Sequence, residues 1–155
     1  MPKPLWAPWR LEYVQHADEH TRCIFCEPEP ELLIHEGESA HVMLNKFPYS
    51  SGHLLIAPRR HLAEFGALSS EEALAVHRLG ARGIDALRAE YAPHGFNVGW
   101  NLGRVAGAGI EGHVHMHVVP RWNGDTSFMP VLGDVKVLPE ALERTAERLR
   151  RHFAG

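Results

Sequence analysis

Three histidines stand at alternate positions in Gly112-His113-Val114-His115-Met116-His117-Val118-Val119-Pro120-Arg121. Alternate side chains of a strand share a face, so the three imidazoles would form one row, with Val114, Met116 and Val118 facing the other way. At the rise of an extended chain, neighbouring rings would lie about 6–7 Å apart, a spacing across which a phosphate group can lie. A single histidine here would read as a solvated polar position. Three in strict alternation, bounded by Gly112 and Pro120, point instead to a site. Imidazole suits such a site because it is nucleophilic when neutral and donates a hydrogen bond or proton when protonated. A second pattern, Cys23-Ile24-Phe25-Cys26, puts two thiols at the spacing that occupies adjacent corners of a tetrahedral metal site. Two more ligands would be needed; two reduced core cysteines or a redox pair are the alternatives.

The first pattern resembles the signature of the histidine-triad family, His-φ-His-φ-His-φ-φ with φ apolar, which His113 to Val119 matches at every position. The resemblance extends through Asn45, Gly52-His53-Leu54-Leu55-Ile56-Ala57-Pro58, His61 and Asn97-Val98-Gly99-Trp100-Asn101-Leu102-Gly103, so it covers residues 23 to 122. Leu5-Trp6-Ala7-Pro8-Trp9-Arg10 and Pro120-Arg121-Trp122-Asn123-Gly124-Asp125-Thr126 look like the bacterial subgroup related to diadenosine tetraphosphate phosphorylases and hydrolases.

That resemblance implies cleavage of a phosphoanhydride through a covalent nucleotidyl-histidine. His115 would be the nucleophile, His117 would hydrogen-bond the phosphate or leaving group, and His53 would hold the rear of the triad. Asn45 would reach a ribose hydroxyl and Asn101 the phosphate or leaving-group side, although either could instead cap a turn or strand end. Gly107, in the glycine-rich loop Val105–Ile110, would offer backbone N–H groups to phosphate. Gly109 or Ile110 stands where better-known branches of the family place Gln or Ser, so a side-chain contact to phosphate is missing or supplied elsewhere. Zinc-containing relatives, among them galactose-1-phosphate uridylyltransferases, imply a structural Zn2+ held by Cys23, Cys26, His61 and His113. No organic cofactor is implied, nor a metal at the phosphate, provided donors stabilise its developing charge. The implied partners are an adenine-containing nucleotide and a second copy of the chain. Hydrolysis of a nucleoside phosphoramidate or adenylate is the alternative chemistry, and a non-catalytic, zinc-stabilised nucleotide-binding module the alternative class.

The elements that must position these residues fit one domain in 155 residues, 45% of them hydrophobic, which excludes intrinsic disorder. Lys plus Arg is 16 against 19 Asp plus Glu, so no basic field exists to hold a long nucleic acid; the 12 histidines would reverse the sign if all were protonated. No signal-like apolar run begins the chain and none is long enough to span a membrane, so a soluble, cytoplasmic protein is expected. Residues 1–30 read as an irregular arm, packed on the core or on a partner, in which Trp6 or Trp9 could line a ligand site. Leu32–His35 and Ala40–Leu44 read as a hairpin, and Gly52–Pro58 as a third strand ended by its proline. Ser69 and Glu72 have capping-box spacing, and Val76, Leu79, Gly80, Gly83, Ile84, Leu87 and Tyr91 follow at helical intervals until Pro93. Gly80 and Gly83 would serve close packing on the sheet. Phe96–Leu102 and Val114–Val119 are two further strands. Residues 123–155 extend the core, with Pro139 opening a helix that carries Leu142, Ala146, Leu149 and Phe153. Strands on both sides of a helix, without βαβ alternation, predict an α+β fold: a mainly antiparallel five-stranded sheet, one long central helix and a C-terminal helix. Lys46, Arg59, Arg60 and Arg121 could attract polyphosphate, and Trp122 could stack on a base or pack in a dimer interface.

Overall fold

The computed structural model describes residues 22–126 and 140–155. Trp6, Trp9 and Pro139 lie outside them. Strands β1 (Leu33–Glu36), β2 (Ala40–Leu44), β3 (Leu54–Pro58), β4 (Gly95–Trp100) and β5 (Met116–Arg121) form one antiparallel sheet in the order β1-β2-β3-β5-β4. Helix α1 (Ser70–Tyr91) packs on β2, β3 and β5, and helix α2 (Leu142–Arg150) packs on β1 and α1. The α+β architecture is the one expected.

Helix α1 begins where its local chemistry says it should. The Ser69 side chain accepts from the Glu72 N–H while the Glu72 carboxylate accepts from the Ser69 N–H, completing the capping box. It ends at Ala92, in the left-handed region at φ 45°, one residue before Pro93. Gly80 and Gly83 are buried on its sheet-facing side. A Cβ at Gly83 would stand 2.7 Å from Leu54 Cδ1, and one at Gly80 would collide with the Met116 Cε. These two glycines let the helix axis settle onto β3 and β5.

That contact also fixes which way β5 faces. Met116 touches α1, so Val118 shares the helix face, and His117, Val119 and Arg121 point to the opposite, open face. The described part of the arm, residues 22–30, covers the sheet near the other end of the histidine row, where Phe25 is 2% exposed.

The triad strand starts later than the alternation suggests. β5 begins at Met116 instead of Val114, so only His117 lies in the ladder. Pairing with β3 stops at Ile56↔Met116. Two residues further along β3, Pro58 has no N–H to donate and its carbonyl accepts from the His113 side chain at 2.7 Å. At the other end β5 runs through Pro120 to Arg121. The β3 pairing has already ended at Leu54↔Val118, and the Pro120 carbonyl accepts from Ser50 Oγ at 2.7 Å. Phe153 is buried as expected but lies beyond the last turn of α2.

Candidate functional site

The histidine row divides into two environments, set by what each ring nitrogen meets. His113 is fully buried, and its Nε2–H donates to the Pro58 carbonyl at 2.7 Å. That bond leaves Nδ1 with its lone pair turned toward Cys23, Cys26 and His61. Nδ1 of His113 lies 3.3 Å from Cys23 Sγ, 3.6 Å from Cys26 Sγ and 3.2 Å from His61 Nδ1, and Cys26 Sγ lies 3.3 Å from His61 Nδ1. With Zn–N near 2.0–2.1 Å and Zn–S near 2.3 Å, a tetrahedron has N–N edges of about 3.35 Å and S–N edges of about 3.55 Å. The four donors therefore match a tetrahedral S2N2 cage, and all lie within 4.8 Å of one another. Burial and the neighbouring Cys23 push the Cys26 thiol up, while burial pushes His113 down. The upward direction favours the neutral form of the Cys26 thiol, and a divalent cation would reverse the preference.

His115 makes the opposite choice. Its Nδ1–H donates to the His113 carbonyl at 2.9 Å, so Nε2 carries the lone pair. The ring lies between Phe25 and His117, with centroids 4.6 and 4.9 Å away, and is 5% exposed. The gap to His117 is shorter than a regular strand would give because His115 precedes the ladder. Burial holds the His115 pKa below the ordinary imidazole value.

The state of His117 is set from behind. The Tyr49 backbone N–H donates to His53 Nδ1 at 3.0 Å, so the proton of His53 sits on Nε2. Nε2 of His53 is 2.9 Å from His117 Nδ1, which must accept, and the His117 proton is thereby placed on Nε2. Asn101 Nδ2 lies 3.5 Å from that nitrogen, so with His117 protonated there the two are neighbouring N–H donors and not a hydrogen-bonded pair. The row thus offers a lone pair on His115 Nε2 beside an N–H on His117 Nε2, a nucleophile next to a donor.

Two cavities flank the row. One, of about 550 Å³, is bordered by Met43, Asn45, Lys46, Ile110 and Gly112 near the cysteine cluster. The other, of about 440 Å³, opens beyond His117 on the exposed face of β4 and β5 and is bordered by Tyr49, Asn97, Asn101 and Arg121. Asn45 lies at the first, its Oδ1 accepting from the Phe47 N–H at 2.9 Å and its Nδ2 3.4 Å from His53 Nδ1. Gly109 and Ile110, not Gly107, border that cavity; the Gly107 N–H closes a 3-10 turn on the Arg104 carbonyl. The four basic side chains singled out from sequence each meet a carboxylate: Lys46 with Glu29, Arg59 with Glu36, Arg60 with Glu72 and Arg121 with Asp125. Trp122 packs inward, its Nε1–H donating to the Tyr91 carbonyl at 3.3 Å.

Sequence reasoning missed Phe25, Tyr49 and the Pro58 carbonyl. Phe25 carried a signal, since an aromatic between two metal-spaced cysteines must be placed by them. The backbone partners carried none. No helix among the described residues is long and apolar enough to cross a membrane.

Comparison with known proteins agrees with this geometry. A family model described as the HIT domain matches residues 27–124. An AP-4-A phosphorylase from Mycobacterium tuberculosis is 34% identical over 163 residues, covering 97% of this chain and 84% of that protein. An adenosine 5'-monophosphoramidase from Schizosaccharomyces pombe is 28% identical, over 82% of this chain and 95% of that protein. The crystal structure of a Zn-bound histidine triad family protein from Mycobacterium smegmatis superposes with a TM-score of 0.67 at 27% identity, covering 84% of this chain and 91% of that one. With its model spanning most of the chain and its histidine row intact, this protein belongs to the histidine triad family.

Proposed function

We propose that the protein is a nucleotidyl hydrolase or transferase that cleaves a phosphoanhydride of a dinucleoside polyphosphate through a nucleotidyl group on His115. The observation that carries this reading is that His115 Nδ1 is held by the His113 carbonyl and His117 Nδ1 by His53 Nε2, each at 2.9 Å, in adjacent rings 4.9 Å apart, an arrangement from which we infer a lone pair on His115 Nε2 beside an N–H on His117 Nε2. In the first step Nε2 of His115 attacks the α-phosphorus, a P–N bond forms and the bridging P–O bond breaks. The leaving phosphate departs as an anion, stabilised by the N–H of His117 and the Asn101 amide, and needs no proton. The Nδ1–H of His115 stays on the His113 carbonyl while positive charge develops on the ring. In the second step an oxygen of water or inorganic phosphate attacks phosphorus, and the P–N electron pair returns to His115; with water, one proton is released. His53 is a positioning residue that holds His117 in its donor tautomer. Asn45 and the loop around Gly107 serve the nucleoside and phosphate of the retained nucleotide, for which adenine is the expected base.

Cleavage of a phosphoramidate or adenylate is the second reading, favoured by the similarity to the S. pombe monophosphoramidase. An amine must leave protonated, which requires a transferable proton on His117 in addition to the one His53 positions. The hydrogen-bond chain described above favours the phosphoanhydride. A non-catalytic binding module has no use for the lone pair that this arrangement leaves on His115 Nε2.

Cys23, Cys26, His61 and His113 would hold Zn2+, which closes all four positions and so supplies cross-linking of the arm to the catalytic segment without activating water. Two reduced thiols in such a cage suit the reducing cytoplasm. A homodimer is supported by edge strand β4, where Val98 is 51% exposed, and by Leu102 just beyond its end, 49% exposed. The test is incubation with diadenosine tetraphosphate, with and without inorganic phosphate, and separation of products. ADP plus ATP only with phosphate identifies a phosphorylase, AMP plus ATP without it a hydrolase, and no cleavage by either route overturns the reading.

A further inference from the structure

We infer that the cavity beyond His117 is the subsite for the leaving nucleotide, with its nucleoside seated at the outer end of the β4–β5 face; this rests on the nucleotidyl-transfer reading above. The two cavities sit at opposite ends of the histidine row, one bordered by Asn45 and Gly112 and the other by His117 itself. Their volumes of about 550 and 440 Å³ each lie in the range of small-molecule sites. A substrate with a small leaving group needs only one of them.

The floor of the second cavity is laid out along the ladder. Gly99 pairs with His117 and Asn97 pairs with Val119, so these four share the open face. A Cβ at Gly99 would meet nothing within 4 Å, which leaves flat backbone between His117 and the outer residues. Phosphates leaving His115 can pass close over that strip, beside the His117 N–H and the Asn101 amide. Further out, Val119 gives an apolar surface and Arg121 a planar one, since its guanidinium is fixed by Asp125 Oδ1 at 3.0 Å and by Asn97 Oδ1 at 2.8 Å. From His117 to Arg121 the strand covers roughly 13 Å, enough for a nucleoside beyond the first phosphates.

The charge at the outer end selects the occupant. Arg121 is the one Lys or Arg among the described lining residues, and the Asp125 carboxylate offsets it. A site for free inorganic phosphate would present uncompensated cations; a neutral, flat end suits a base and ribose.

The test compares diadenosine tetraphosphate with adenosine 5'-tetraphosphate, which has the same reacting phosphorus and phosphate chain but no second nucleoside. The wild-type protein should favour the dinucleotide about tenfold or more in kcat/KM. Val119→Phe, which fills the outer floor, and Arg121→Gln, which frees the guanidinium's place, should each bring that ratio toward one by lowering the dinucleotide arm. A wild-type ratio near one, or variants that lower both arms equally, overturns the subsite. If the wild-type protein cleaves neither compound, the nucleotidyl-transfer reading fails first and the subsite falls with it.

Discussion

The two ends of the histidine row differ in chemistry although they are built from the same residue. At one end His113 ties Nε2 to a backbone carbonyl and turns Nδ1 to two thiols and another imidazole. Two residues later His115 ties Nδ1 to a backbone carbonyl and frees Nε2 for the substrate side. In the proposed account the backbone partner selects the role: metal ligand where Nδ1 is presented, nucleophile where Nε2 is presented. Substitutions at the two ends should therefore separate into those that stop chemistry with the fold and metal intact, and those that remove the metal and loosen the fold.

The largest effect is expected at His115. His115→Ala should lower kcat by about 10³-fold or more while nucleotide affinity, measured by calorimetry, stays within a few-fold. Retained turnover would erase the distinction between the two ends. At the metal end, Cys26→Ala should reduce zinc, measured by mass spectrometry of protein purified without added metal, from one per chain to near none, with a lowered Tm. Unchanged Tm and metal content would show that the cage is not a zinc site. His53→Ala sits between these, because it acts only through His117: about a 10- to 100-fold loss in kcat is expected with zinc content unchanged.

The smallest effects are those of pH. His115 must be neutral to attack, and burial lowers its pKa, so kcat/KM should fall only as pH drops below the ordinary imidazole value of about 6.5. An acid limb above that value would contradict the buried nucleophile. His41, 3% exposed on β2, is pushed down to about 4 chiefly by burial, and the unfolded chain binds its proton first. Its contribution to stability is therefore full above pH 6.5 and is lost as pH falls toward about 4, which urea titrations at several pH values measure.

What could be read from the sequence was whatever depends on neighbours along the chain. The capping box at Ser69 and Glu72, the glycines at 80 and 83 and the hairpin between β1 and β2 are local, and each forms as expected. The set Cys23, Cys26, His61 and His113 was reached by resemblance, and the fold brings those four together. The start of β5 was misplaced because the reason for it, the Pro58 carbonyl, lies 55 residues from His113. Tautomers were illegible for the same reason: the Tyr49 amide reaches His117 only through His53, 64 residues away from it in sequence. The pairing of Lys46, Arg59, Arg60 and Arg121 with carboxylates likewise depends on partners that composition cannot locate.

The account stands most directly on the bond between phosphorus and His115. Mixing the protein with diadenosine tetraphosphate, quenching within the first turnover into base, where phosphoramidates survive, and mapping the peptides by mass spectrometry would reveal it. A nucleotidyl group on the peptide containing His115, absent from His115→Ala, is the predicted result. Turnover with no adduct on the enzyme, or an adduct on His117 instead, would contradict it.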